Sequence, residues 1–135
     1  MTSSSESLAL LLIAHGSRQA EANDDLHYVV EQLRQRGRYD IVEASFLELA
    51  EPDIDEGGRR CVAQGARCVI LLPYFLSAGV HVRRDLTAAR QRLAERHPCV
   101  LFRLAEPLGR HPRLLDVVVE RAAEACPITH EPKTS

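Results

Sequence analysis

Two histidines and a glutamate stand just past the ends of apolar runs, where a fold tends to expose reactive side chains. His15 follows Leu8–Ala14, Glu48 follows Ile41–Phe46, and His81 lies in the polar stretch after Cys68–Leu72. Neutral imidazole is a good ligand for cobalt, nickel and ferrous iron alike. Two protein ligands with water completing the shell hold an ion weakly enough to release it, whereas a closed four-ligand site traps it. Imidazole also titrates near neutral pH, so either histidine can accept a proton, as can Glu48. Arg18, Arg83 and Arg84 flank the two histidine segments, and guanidinium binds carboxylates in bidentate fashion. The backbone from Ser77 to Gly79 offers further amide donors. The chemistry these residues can do together is to hold a divalent cation loosely beside an anionic molecule. A lone histidine at a strand end is commonly structural, so the case depends on the elements that bring these residues together.

Four short apolar runs, Leu8–Ala14, Ile41–Phe46, Cys68–Leu72 and Cys99–Leu104, have the length of buried strands. Helical patterns separate them. Leu26, Val29, Val30 and Leu33 recur at helical spacing and stop near Gly37. A second helix is expected to open at Pro52 or Asp53, to be weakened by Gly57 and Gly58, and to stop near Gly65. A third runs from Arg84 to Arg96 and ends at His97-Pro98. The fourth begins near His111-Pro112 and carries Leu114, Leu115, Val118 and Ala122. Strict alternation of strand and helix predicts a single-domain α/β fold of three layers, with a four-stranded parallel sheet covered on both faces. Ligands in such folds bind beyond the carboxyl ends of the strands, which is where the His15, Glu48 and His81 segments lie.

The 135-residue chain is long enough to bury a core of its own. Its net charge of −2 lacks the basic excess that nucleic acid binding requires. Lys133 is its single lysine, against many arginines. Cys61, Cys68, Cys99 and Cys126 have no metal-binding spacing and read as buried free thiols. Leu8–Ala14 is too short to span a bilayer and lacks a preceding positive charge, so no signal peptide or membrane span is expected and a cytoplasmic location is. Residues 1–7 and 127–135 are polar and read as disordered tails around a domain at 8–126. His27, His97, His111 and His130 read as structural or surface residues, and Asp85, one helical turn after His81, as a partner for that imidazole or a plain helix-start acid.

Three segments carry a family resemblance: strand-His15-Gly16-Ser17-Arg18, then Phe46-x-Glu48-x-x-x-Pro52, then Pro73-x-Phe75-Leu76-x-x-Gly79-x-His81-x-x-x-Asp85. In this order they resemble the class II tetrapyrrole chelatases, specifically the short sirohydrochlorin cobaltochelatases of the CbiX type. The resemblance extends over Leu8–Ala125 and includes Leu108-Gly109-Arg110-His111-Pro112. It implies a flavodoxin-like half-chelatase that works as a homodimer, because longer relatives hold two such halves in one chain. It further implies insertion of a divalent metal, Co2+ before Ni2+ or Fe2+, into sirohydrochlorin, with no organic cofactor. His15 and His81 match the family's metal-binding histidines, and Glu48 matches the glutamate of the second motif, in a region where longer relatives carry an acidic residue that assists metal binding or proton removal. The substrate's many carboxylates would meet Arg18, Ser77, Gly79, Arg83 and Arg84. Two other readings compete. A histidine phosphatase also begins with strand-His-Gly but needs arginine before the histidine, where Ala14 stands. A non-catalytic metal or tetrapyrrole carrier on the same fold needs the ligands and the arginines but no base.

Overall fold

A computed structural model describes residues 7–126; the expected tails, Ser7 apart, and His130 lie outside the described residues. The chain runs β1 (Leu8–Ala14), α1 (Ala20–Arg36), β2 (Ile41–Phe46), α2 (Ile54–Ala63), β3 (Cys68–Pro73), α3 (Val80–Arg96), β4 (Leu101–Leu104) and α4 (Pro112–Ala125). All four strands are parallel, in the order β2-β1-β3-β4. Central β1 is apolar throughout and divides its side chains between two layers. Leu10 and Leu12 pack with Leu26 and Val30 of α1 and with Val42, Ala44 and Phe46 of β2. Ala9, Leu11 and Ile13 face Cys61 of α2 and Leu86, Ala89 and Leu93 of α3, together with Val69, Leu71 and Phe102. Each large side chain so buried contributes about 1.5–3 kcal/mol, which is why a strand without polar alternation settles at the centre of the sheet.

The helix ends follow local chemistry. α1 stops at Gly37, whose φ of 69° lets its N–H reach the Arg34 carbonyl at 3.2 Å. α2 opens at Asp53, whose carboxylate accepts the Glu56 N–H at 2.8 Å. Gly57 and Gly58 have a packing role that propensity conceals. A Cβ at Gly57 would lie 2.8 Å from Leu11 Cδ1 and 2.9 Å from Ser45 Cβ, and one at Gly58 would press on Leu93. The glycine pair therefore lets α2 lie close against both the sheet and α3.

Four expectations need correction. α3 starts at Val80, not Arg84: Gly79 is extended at the N-cap and its carbonyl accepts the Arg83 N–H at 2.9 Å, closing a turn that buries too little to show in the apolar pattern. β4 starts at Leu101, not Cys99, because Val100 N–H donates back to the His97 carbonyl at 3.0 Å in a turn. That turn leaves Cys99 exposed. Cys126 at the end of α4 is exposed too and Cys68 is half-buried, so of the four free thiols only Cys61 is fully buried. Finally, the sheet is not covered on both faces across its whole width. α1 lies over β1 and β2, α2 and α3 cover the opposite face, and α4 buries none of its residues.

Candidate functional site

β1 crosses over to β2 on one side while β3 continues the sheet on the other, so the strand order reverses at β1 and β3. The crevice beyond their carboxyl ends is the usual ligand position in such sheets. His15 is the first residue past β1, exposed at that crevice. Its imidazole stacks on Phe75 from the segment after β3, with ring centroids 4.4 Å apart and planes at 29°. Offset stacking of this kind is worth about 0.5–1.5 kcal/mol. Among the described residues no side-chain hydrogen bond engages the His15 ring, so Phe75 restrains the imidazole and leaves both nitrogens available.

The His15 and Glu48 segments are fastened backbone to backbone. Leu47 N–H donates to the Ala14 carbonyl at 2.9 Å and Glu48 N–H to the His15 carbonyl at 3.1 Å. Gly16 makes this approach possible: its φ is 95°, and a Cβ there would overlap the Glu48 carbonyl oxygen. The Glu48 loop is closed at its base by Phe46 N–H donating to the Pro52 carbonyl at 2.9 Å. Leu49 adopts a φ of 64°, and both Glu48 and Leu49 are exposed. On the other side, Ser17 N–H donates to Asn23 Oδ1 at 2.9 Å while Asn23 Nδ2 donates to the Ser17 carbonyl at 2.8 Å. Ser17 Oγ accepts the Gln19 N–H at 3.0 Å. These bonds tie the turn after His15 to the first turns of α1.

His81 is on the first turn of α3, exposed, rather than in a loop. Ser77 and Gly79 are exposed just before it, Gly79 as the N-cap. Asp85 follows one turn later but lines a cleft with Leu47, Asp53, Ile54, Asp55 and Arg92 between α2 and α3, and makes no hydrogen bond to His81. Arg83 is engaged, its Nε donating to the Ala78 carbonyl at 3.2 Å and its guanidinium 3.5 Å from Glu106. Arg18 and Arg84 are exposed and have no ion pair among the described residues. Arg18 borders a cavity of about 300 Å³ with Ser17, Asn23, His27, Phe46 and Glu51. Among the described residues no group of three or more histidine, cysteine, aspartate or glutamate side chains is placed to hold a metal ion. Thus His15 and Glu48 share fastened segments and the Phe75 segment reaches His15, but His15, Glu48 and His81 do not form a closed cage.

The other described histidines have structural places: His27 is edge-on to Phe46 at 5.8 Å, His97 caps the end of α3, and His111 accepts the Arg113 N–H through Nδ1 at 3.2 Å to start α4. Sequence reasoning missed Phe75 and Asn23. Phe75 stood inside a motif, where an aromatic two residues past β3 was a usable signal; Asn23 lay within an ordinary amphipathic pattern and gave none.

A model of the CbiX family matches residues 9–125. A sirohydrochlorin cobaltochelatase of Priestia megaterium is 38% identical over 88% of this chain, which spans 39% of that protein. A chloroplastic sirohydrochlorin ferrochelatase of Arabidopsis thaliana is 37% identical over 83% of this chain and 50% of its own length. The chain therefore spans half or less of these two relatives. A sirohydrochlorin cobaltochelatase of Sulfolobus acidocaldarius is matched over 92% of its length at 30% identity, covering 87% of this chain. Among solved structures, a cobalamin biosynthesis CbiX protein from Marinobacter aquaeolei superimposes with a TM-score of 0.76 at 33% identity, over 87% of this chain and 96% of that one. The sirohydrochlorin chelatase SirB of Bacillus subtilis subspecies spizizenii, in complex with cobalt, gives 0.79 at 30% identity, over 87% of this chain and 50% of that one. With the motif segments gathered at one edge of this parallel sheet and nearly the whole described fold matched, the chain belongs to the CbiX family.

Proposed function

We propose that this chain is a metal chelatase that inserts Co2+ into sirohydrochlorin, with Fe2+ or Ni2+ as other metals the same ligands accept. The observation that carries the reading is the joining of the His15 and Glu48 segments, with Phe75 against His15, at the β1/β3 crevice. The reaction sets the requirements: as a divalent ion enters a free-base tetrapyrrole, two pyrrole N–H bonds break and two protons leave. His15 and His81 are assigned as weak metal ligands that pass the ion to the ring. Proton acceptance is shared among them and Glu48. Exposed His15 with both nitrogens unengaged suits this role, because a ligand that must let go is poorly served by a buried, closed cage.

The carboxylates of the substrate are assigned to Arg18, Arg83 and Arg84, with amides of Ser77 and Gly79 adding donors. Arg83 must exchange Glu106 for a substrate carboxylate. Both partners are more than half exposed, and such pairs are worth about 0–1 kcal/mol, so the exchange is a small barrier. We further propose a homodimeric protein in the cytoplasm. Membership of the CbiX family, whose short members the motif segments resemble, supports the dimer, and no described helix is long and apolar enough to cross a membrane.

Incubation with sirohydrochlorin and Co2+, following loss of the free-base spectrum, tests the reading. A rate equal to the protein-free control refutes catalysis and leaves a carrier. His15→Ala or His81→Ala should slow insertion at limiting metal by at least about tenfold, since losing a mere supporting contact to a metal ligand already costs that much.

A further inference from the structure

α4 is the one element of this fold without a place in it. None of its residues is buried, and Leu115, Val118 and Val119 are 69%, 64% and 67% exposed. With Ala122 they recur at i, i+3, i+4 and i+7 and so form a single stripe. Leu114 and Val117, on another side, line an apolar cavity of about 470 Å³ with Leu72, Pro107 and Leu108. A helix apolar on two sides belongs in a core, not in water.

The sheet has a matching vacancy. On the α1 side, β1 and β2 are covered, but Cys68 and Ile70 of β3 are only half-buried, Leu101 of β4 is 50% exposed and Arg103 is exposed. Their register, Cys68 opposite Leu101 and Ile70 opposite Arg103, makes one continuous strip. Arg103 has no ion pair among the described residues, and neither have Asp116 and Glu120, which flank the α4 stripe.

The chain's own α4 is held away from this strip by its root. Ala105 N–H donates to the Leu71 carbonyl at 2.9 Å, Leu108 N–H to the Phe75 carbonyl at 3.0 Å, and His111 caps the helix. Gly109 lies so close to the Leu76 carbonyl that a Cβ has no room. These contacts hold residues 105–109 against β3 and the segment that follows it. The residues outside the described segment are polar apart from Met1, Pro127, Ile128 and Pro132.

We propose that α4 is exchanged between two copies of this chain: each lays Leu115, Val118, Val119 and Ala122 across the open β3–β4 strip of the other, with Asp116 and Glu120 toward its Arg103. The contact is reciprocal, so it closes as a two-fold dimer and leaves no strip unfilled. Because residues 105–108 hang on β3 and on the segment carrying Phe75, the exchange would also anchor the loop that restrains His15. The inference rests on the homodimer reading and adds the element that makes the dimer.

The test combines sedimentation with photo-crosslinking. A benzoylphenylalanine at position 118, in a mixture of two mass-tagged copies, should give adducts between chains within residues 68–73 or 99–104. The double substitution Val118→Glu with Val119→Glu should weaken the dimer by about 100-fold or more while far-UV circular dichroism is unchanged, because neither side chain is buried within its own chain. Adducts confined to one chain mean that α4 closes on its own sheet and overturn the proposal. A dimer that survives the double substitution, with adducts elsewhere, overturns it and leaves the homodimer reading standing. A wild-type monomer at micromolar concentration removes both.

Discussion

Replacing Gly16 with alanine should damage the molecule far more than its position in an exposed turn suggests. A residue with a side chain at φ 95° costs about 1–2 kcal/mol in backbone strain. The new Cβ would also overlap the Glu48 carbonyl oxygen and stand 3.3 Å from Phe46 Cβ, and a backbone atom cannot swing aside as a side chain can. Relief requires the His15 and Glu48 segments to part, which gives up the Leu47-to-Ala14 and Glu48-to-His15 hydrogen bonds. Those two are worth about 1–3 kcal/mol together, so the expected loss is roughly 2–5 kcal/mol. At a urea m-value of about 2 kcal/mol/M the unfolding midpoint should fall by about 1–2.5 M. Gly37→Ala is the control: its φ of 69° carries the backbone strain, but a Cβ there meets nothing within 4 Å. If Gly16→Ala falls within about 1 kcal/mol of Gly37→Ala, the fastening of the two segments through Gly16 is refuted. Insertion activity should fall as well, since His15 and Glu48 move with their segments.

Phe75→Leu should weaken cobalt binding by about 2- to 10-fold, the equivalent of one aromatic stack, and should change nothing further once His15 is already alanine. Calorimetric titration of both backgrounds decides it, an equal loss in the His15→Ala background being the contrary result. Burial, with a smaller contribution from the Glu43 charge, pushes the Cys61 thiol up to about 12. The folded chain then keeps this proton while the unfolded chain loses it above pH 9. Stability should therefore fall through the window from about 9 to 12, by about 1.4 kcal/mol per unit, and this portion should vanish in Cys61→Ala. Urea midpoints between pH 8 and 10.5 measure it, and equal slopes for the two proteins would contradict it.

Much of this protein is legible one segment at a time. β1 and β2 coincide with their apolar runs, since strands buried on both faces need no partner to reveal them. The ends of α1 and the start of α2 follow from Gly37 and Asp53, whose capping is local chemistry. The three motif segments, and with them the edge of the sheet on which His15, Glu48 and His81 lie, are likewise readable in the sequence. What needed the tertiary structure were contacts between segments distant in sequence. Gly57 and Gly58 look like helix weakeners until Leu11 and Leu93 are seen against them. Phe75 is an apolar residue in a loop until the imidazole of His15 lies on its ring. Arg83 is a free cation until Glu106 comes within 3.5 Å. α4 has the pattern of a core helix, and only its place in space leaves that pattern unused. Local sequence determines what an element is and which of its faces is apolar; what meets that face depends on the whole chain's path.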